Sequence, residues 1–166
     1  NLFFAVADCT GHGVPGAFMS MIGNTLFNEA VNDKGLTKTN EILEQVRDGI
    51  IKSLKQKGET GEQKDGMDAS ICRLDLKTNE IEFSGAHNPF YLVRDASKEK
   101  LKVDGEEPIV TDENKASLYE VRGDLQPIGF HKGELRPFSS NRMNLLKGDK
   151  VFLFSDGYPD QFGGKL

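Results

Sequence analysis

Two aspartates are built into this chain in the same way. Leu2-Phe3-Phe4-Ala5-Val6-Ala7 is a continuous apolar run, aromatic and β-branched in part, and it leads into Asp8 and the turn Cys9-Thr10-Gly11-His12-Gly13. Far along the chain, Val151-Phe152-Leu153-Phe154 is a second apolar run, and it leads into Ser155-Asp156-Gly157. Short apolar runs bounded by turn residues read as buried strands. A carboxylate at the end of such a strand is poorly hydrated, so its charge needs a partner. One Asp-Gly after a strand is usually only a turn, but two matching constructions point further. If the two strands are neighbours, two carboxylates meet at one edge of a sheet and repel unless a cation intervenes. A hard divalent ion with oxygen ligands meets that need.

The elements that must position these acids follow from patterning. Pro15 suits the first turn of a helix. Phe18, Met21, Ile22, Thr25, Leu26 and Glu29 recur at helical spacing over Ala17–Val31, and Asn32-Asp33-Lys34-Gly35 ends that helix. Thr37 or Thr39 can cap a second helix running to Leu54, with Ile42, Val46, Ile50 and Leu54 as its apolar stripe. Residues 55–66 read as a solvated loop. The remainder is β-rich: Ala69–Leu76 and Glu80–Phe83 flank the turn Lys77-Thr78-Asn79, Pro89–Arg94 is a strand, and Leu101–Val103 continues the meander. Residues 104–116 are acidic and loop-like, Leu118–Val121 and Met143–Leu146 are strands, and Gln126–Phe130 is a turn. Helices first and antiparallel strands afterwards favour an α+β fold over a parallel doubly wound sheet.

Bulk properties exclude several functions. The chain has 166 residues, one domain's length, with 21 basic against 26 acidic residues and a net charge of −5. That balance argues against a nucleic-acid binder and against contact with an anionic membrane surface. Cys9 and Cys72 have no metal-binding spacing and form no disulfide framework, which fits a reducing cytoplasm. Cys72 reads as a core residue.

The turn Asp8-Cys9-Thr10-Gly11-His12-Gly13 resembles the Asp-x-x-Gly-His-Gly motif of the SpoIIE-like serine phosphatases, a bacterial branch of the metal-dependent type 2C protein phosphatases. Three later segments match in order: Ser84-Gly85-Ala86-His87-Asn88-Pro89, with the family's Ala and Gly exchanged; Gln126-Pro127-Ile128-Gly129; and Leu153-Phe154-Ser155-Asp156-Gly157. The resemblance covers nearly the whole chain. It implies a four-layer α/β/β/α sandwich of two antiparallel sheets with flanking helices. Residues 1–166 would be a partial domain, lacking an earlier Gly-Asp strand and a later Asp-Asp strand that supplies another metal ligand. It implies that Asp8 bridges two Mn2+ or Mg2+ ions, that the Cys9 carbonyl completes one metal shell, and that Asp156 binds from the second strand. The activity implied is hydrolysis of phosphoserine or phosphothreonine on a partner protein. In the family that partner is often an anti-sigma-factor antagonist, and the phosphatase is often the output of an upstream sensor. The other reading is a degenerate phosphatase-like module that binds a phosphoprotein without turnover. Type 2C phosphatases commonly hold the substrate phosphate with an arginine, and none can be assigned from this sequence.

Further residues carry open roles. Gly11 and Gly13 let the backbone pass close to metal or phosphate, and the following helix points its positive end at the site. His12 could be a proton donor or phosphate ligand; the expectation is that it orients the loop through a hydrogen bond. His87 is expected to be structural, in a strand-linking turn. Asp68, read as preceding a strand, is expected to be a capping or turn carboxylate, with a third, weaker metal site as the alternative. Asp160 suits the first turn of a helix starting at Tyr158.

Overall fold

The computed structural model describes residues 1–57, 65–101, 110–112, 115–131 and 135–157. Strand β1 (Leu2–Cys9) leads into helix α1 (Gly13–Asn28), which runs on through a π-helical turn, Glu29–Asp33, before helix α2 (Thr39–Ser53). The strands follow: β2 (Gly66–Leu74), β3 (Glu80–Ala86), β4 (Phe90–Asp95), β5 (Val110–Asp112), β6 (Ala116–Val121), β7 (Ile128–Gly129), β8 (Asn141–Asn144) and β9 (Lys150–Phe152). One sheet has the order β1-β2-β3-β8, with β7 against the start of β2; the other has the order β5-β6-β4-β9. Every strand pair is antiparallel. No helix among the described residues is long and apolar enough to cross a membrane.

Strand alternation sorts side chains between two cores. Met67, Ala69 and Ile71 of β2 pack with Phe3 of β1 against Met19 of α1 and Ile42, Leu43, Val46 and Ile50 of α2. Cys72 of β2 and Ile81 and Phe83 of β3 face the other way, meeting Phe90, Leu92, Tyr119 and Val121 of the second sheet, with Phe4, Val151 and Leu153 at the margin. The result is the expected α+β sandwich of two antiparallel sheets. Its described residues form three layers, with both helices on the first sheet, and no helix on the outer face of the second is among them.

Several local expectations change. Phe18 and Met21 face outward, 61% and 66% exposed, because α1 turns Met19 and Gly23 to the sheet instead. Neither threonine caps α2: Lys38 precedes the helix without a side-chain cap, and the Thr39 N–H donates to Glu82 Oε1 at 3.0 Å across the core. Gln126–Phe130 includes the short strand β7, which pairs with Gly66–Met67. Strand β5 lies within the stretch read as an acidic loop. Of the proposed strand Leu101–Val103 only Leu101 is described, buried in the core between the sheets and outside any strand; the helix from Tyr158 with Asp160 and much of the 55–66 loop lie outside the described residues.

Candidate active site

β1 is apolar and edge-placed, and its alternation decides where Asp8 goes. Phe4 joins the core between the sheets while Phe3 and Cys9 pack toward the helices. Asp8, an even number of residues from Phe4, therefore faces the second sheet. Asp68 lies directly opposite Asp8 in the β1–β2 register and shares the side of Cys72. It stands inside β2, not ahead of a strand, so the capping and turn reading of Asp68 fails. Both carboxylates are half-buried. Like charges directly opposite on neighbouring strands are destabilising. Among the described residues the Asp8 carboxylate accepts no hydrogen bond and joins no ion pair.

His87 completes the row. It follows β3 at the position level with Asp68, since Ala69 pairs with Ala86, and its Nδ1 lies 2.8 Å from Asp68 Oδ1. The residue holds a left-handed backbone, φ 58°. The expected turn is there, but the carboxylate partner is new. Sequence reasoning missed it because residues 68 and 87 meet only through the β2–β3 register.

Asp156 reaches this end by another route. β1 and β9 lie in different sheets, so the two aspartates are not joined by strand pairing; that condition for their meeting is not fulfilled. β9 instead runs antiparallel to β4, with Phe152 opposite Tyr91. β4 begins just past the turn that holds His87, so β9 ends, and the turn of Asp156 follows, at the same end of the sandwich as Asp8 and Asp68. Asp156 is exposed, in the turn after β9. Phe154, just before it, stacks on Tyr91 with ring centroids 5.0 Å apart, anchoring the approach.

The glycine turn between β1 and α1 is tightly closed. Gly11 and Gly13 have φ of 94° and 63°, conformations that favour glycine. The close approach falls elsewhere, at Gly16, where an added Cβ would sit 2.7 Å from the Gly11 carbonyl oxygen. Thr10 clasps the turn to β2: its N–H and its hydroxyl both donate to the Gly66 carbonyl at 3.0 Å. His12 precedes α1 as its N-cap, is exposed, and makes no side-chain cap bond. The loop-orienting hydrogen bond expected of it is not found among the described residues.

Cys72 is fully buried, and burial pushes its thiol far above the ordinary range, so it is an inert core group. Arg122 follows β6 at this end, with a side chain 83% exposed and 3.8 Å from Glu120.

The donors gathered here are of the kind a hard cation takes: carboxylates and backbone carbonyls. No group of three or more His, Cys, Asp or Glu side chains among the described residues lies close enough to hold a metal ion. The set fits Mn2+ or Mg2+ in kind and is short of a full shell.

The model of the family stage II sporulation protein E (SpoIIE) matches residues 1–165. No curated protein matches the sequence. Among solved structures, the SiaA-PP2C domain of Pseudomonas aeruginosa is similar with a TM-score of 0.70 and 24% identity, over 98% of this chain and 54% of that one. A stage II sporulation E family protein from Thermanaerovibrio acidaminovorans is similar with a TM-score of 0.59 and 14% identity, covering 96% of this chain and 77% of that one. The serine/threonine phosphatase PstP/Ppp of Mycobacterium tuberculosis gives 0.55 and 15%, over 95% of this chain and 69% of that one. At these identities what is shared is the fold. The chain spans about half the length of the SiaA-PP2C structure.

Proposed function

This chain belongs to the SpoIIE family, and from that premise we propose that it is the central part of a metal-dependent phosphatase domain acting on phosphoserine or phosphothreonine of a partner protein. One juxtaposition supports the reading. Two strands from different sheets bring Asp8 and Asp156 to the same end of the sandwich, where Asp8 faces Asp68 and has no basic side chain paired with it among the described residues.

Asp8, the Cys9 carbonyl and Asp156 would hold Mn2+ or Mg2+, and acids beyond the described residues would complete the shell. When bound, such ions lower the pKa of a water and offset the charge of the phosphoryl oxygens. The chain's own contribution is placement. The Gly11–Gly13 turn brings backbone close to the site, and the start of α1 turns its positive end toward an incoming phosphate. Asp68 enlarges the negative charge that a cation must balance. The substrate in this reading is a signalling phosphoprotein, such as an anti-sigma-factor antagonist, met in the cytoplasm by the output end of a sensor chain.

The test is Mn2+-dependent release of phosphate from a phosphoserine peptide by the full-length protein. Asp8→Asn should lower kcat/KM by more than about 100-fold, since metal charge stabilisation supplies several kcal/mol and each 1.36 kcal/mol is tenfold. Binding of the peptide without turnover would favour the degenerate, non-enzymatic reading instead.

A further inference from the structure

We propose that His87, held by Asp68, is the proton donor to the seryl or threonyl oxygen leaving phosphorus; the assignment rests on the phosphatase reading above. An alkoxide is a poor leaving group, so cleaving its bond to phosphorus calls for a proton on that oxygen. Asp8 and Asp156, taken up as metal ligands in that reading, have no proton to give. His12, His87 and His131 all lie among the described residues, His131 just past β7 at the start of β2, and of the three rings only that of His87 has a carboxylate within hydrogen-bond distance there. His12 sits at the N-terminus of α1, where the helix dipole opposes a ring that carries positive charge, and its ring has no hydrogen-bond partner among the described residues. His87 instead has Asp68 Oδ1 at 2.8 Å from its Nδ1. A carboxylate on Nδ1 fixes the ring's orientation and makes that nitrogen the donor toward it, leaving Nε2 for a substrate.

The pair is not needed to hold the turn together. The backbone does that already: His87 N–H donates to the Asp124 carbonyl at 2.9 Å, Asp124 N–H to the Gly85 carbonyl at 2.8 Å, and Asn88 N–H to the Ala86 carbonyl at 2.7 Å. These bonds fix His87 at φ 58°, a conformation uncommon for a residue with a side chain. The ring is thereby set level with Asp68 on β2 and, one strand further, Asp8 on β1. Its side chain is 38% exposed, open to a ligand. In the step itself a water-derived oxygen bonds to phosphorus. The bond from phosphorus to the seryl oxygen breaks, its electron pair stays on that oxygen, and the doubly protonated ring gives its Nε2 proton to it, keeping the one on Nδ1. The neutral ring then regains a proton from solvent.

The experiment compares two esters in the Mn2+-loaded full-length protein: a phosphoserine peptide, and p-nitrophenyl phosphate, whose phenolate leaves without a proton. His87→Asn suits the test because Asn tolerates the left-handed backbone. It should lower kcat on the peptide by about 100-fold or more and on the aryl ester by less than about tenfold. Asp68→Asn, which frees the ring, should lose in the same selective sense but less, which makes Asp68 a positioning residue. Equal losses on both esters, or no loss on the peptide, would overturn the assignment. If the wild-type protein hydrolyses neither ester, the phosphatase reading falls and this inference with it. If it hydrolyses both in an Asp8-dependent way while His87→Asn and Asp68→Asn are unselective, only the proton donor falls.

Discussion

The first sheet holds acids in two settings, one on each of its faces. On the helix side Glu82 is fully buried, yet every demand on it is met. It accepts from Arg73 at 2.8 Å, from Arg142 at 3.1 Å and from the Thr39 N–H at the start of α2 at 3.0 Å. Thr39 Oγ1 goes on to Ser84 Oγ at 2.8 Å, which donates in turn to the Ser139 carbonyl. On the opposite face, at the end of the sandwich, Asp8 and Asp68 confront each other, and their one described partner is His87. The buried acid is neutralised from within the chain and ties a helix to two strands. The half-buried pair is left with charge to spare, which is what a site for an external cation requires. A satisfied charge is architecture; an unsatisfied one on an accessible rim is a candidate for chemistry.

That contrast can be broken by measurement. Glu82→Ala should destabilise the fold by about 3–5 kcal/mol, because it strands Arg73 and the first N–H of α2 inside the core; urea denaturation reads this, and a cost below about 1 kcal/mol would remove the distinction between the two faces. Mn2+ should raise the stability of the full-length protein, by about 2.7 kcal/mol at a hundredfold excess over its dissociation constant, and Asp8→Asn should abolish that gain without lowering the metal-free melting temperature. For the 166-residue chain alone, calorimetry should return a Mn2+ dissociation constant weaker than about 1 μM, since no three side-chain ligands converge among the described residues. Asp8→Asn, metal-free, should be neutral or stabilising by about 0.2–1 kcal/mol, as it removes a like-charge pair across β1 and β2; a loss on the scale of Glu82→Ala would show Asp8 to be structural. The smallest effect belongs to the exposed Lys38–Glu41 pair at 2.8 Å, where Lys38→Ala should cost no more than about 0.5 kcal/mol.

Much of this was legible beforehand. The apolar strands β1 and β9 that precede or hold Asp8 and Asp156, both helices, the β2–β3 hairpin and the α+β class follow from short-range periodicity and turn residues, although β9 stops at Phe152 and leaves Asp156 in the turn beyond it. What escaped was long-range. Phe18 and Met21 have helical spacing, but which side of α1 meets the sheet depends on its tilt, and the sheet took Met19 and Gly23. Glu82 was not singled out in the sequence, because its role under α2 depends on a contact across 43 residues. Asp68 was read as lying ahead of a strand that starts at Ala69; its extended state depends on pairing with Asp8 of β1.

By itself the sequence determined that Asp8 and Asp156 each lie beside an apolar strand and a glycine turn, because hydrophobic runs and glycine turns act over a few residues. Only the tertiary structure decided which acids face one another. Antiparallel register links positions far apart in the chain, and it set Asp8 against Asp68, His87 beside Asp68 and the turn of Asp156 at the same end through a different sheet. A single-residue slip in any of those ladders would turn the side chains to the other face, and no local pattern in the sequence records that choice.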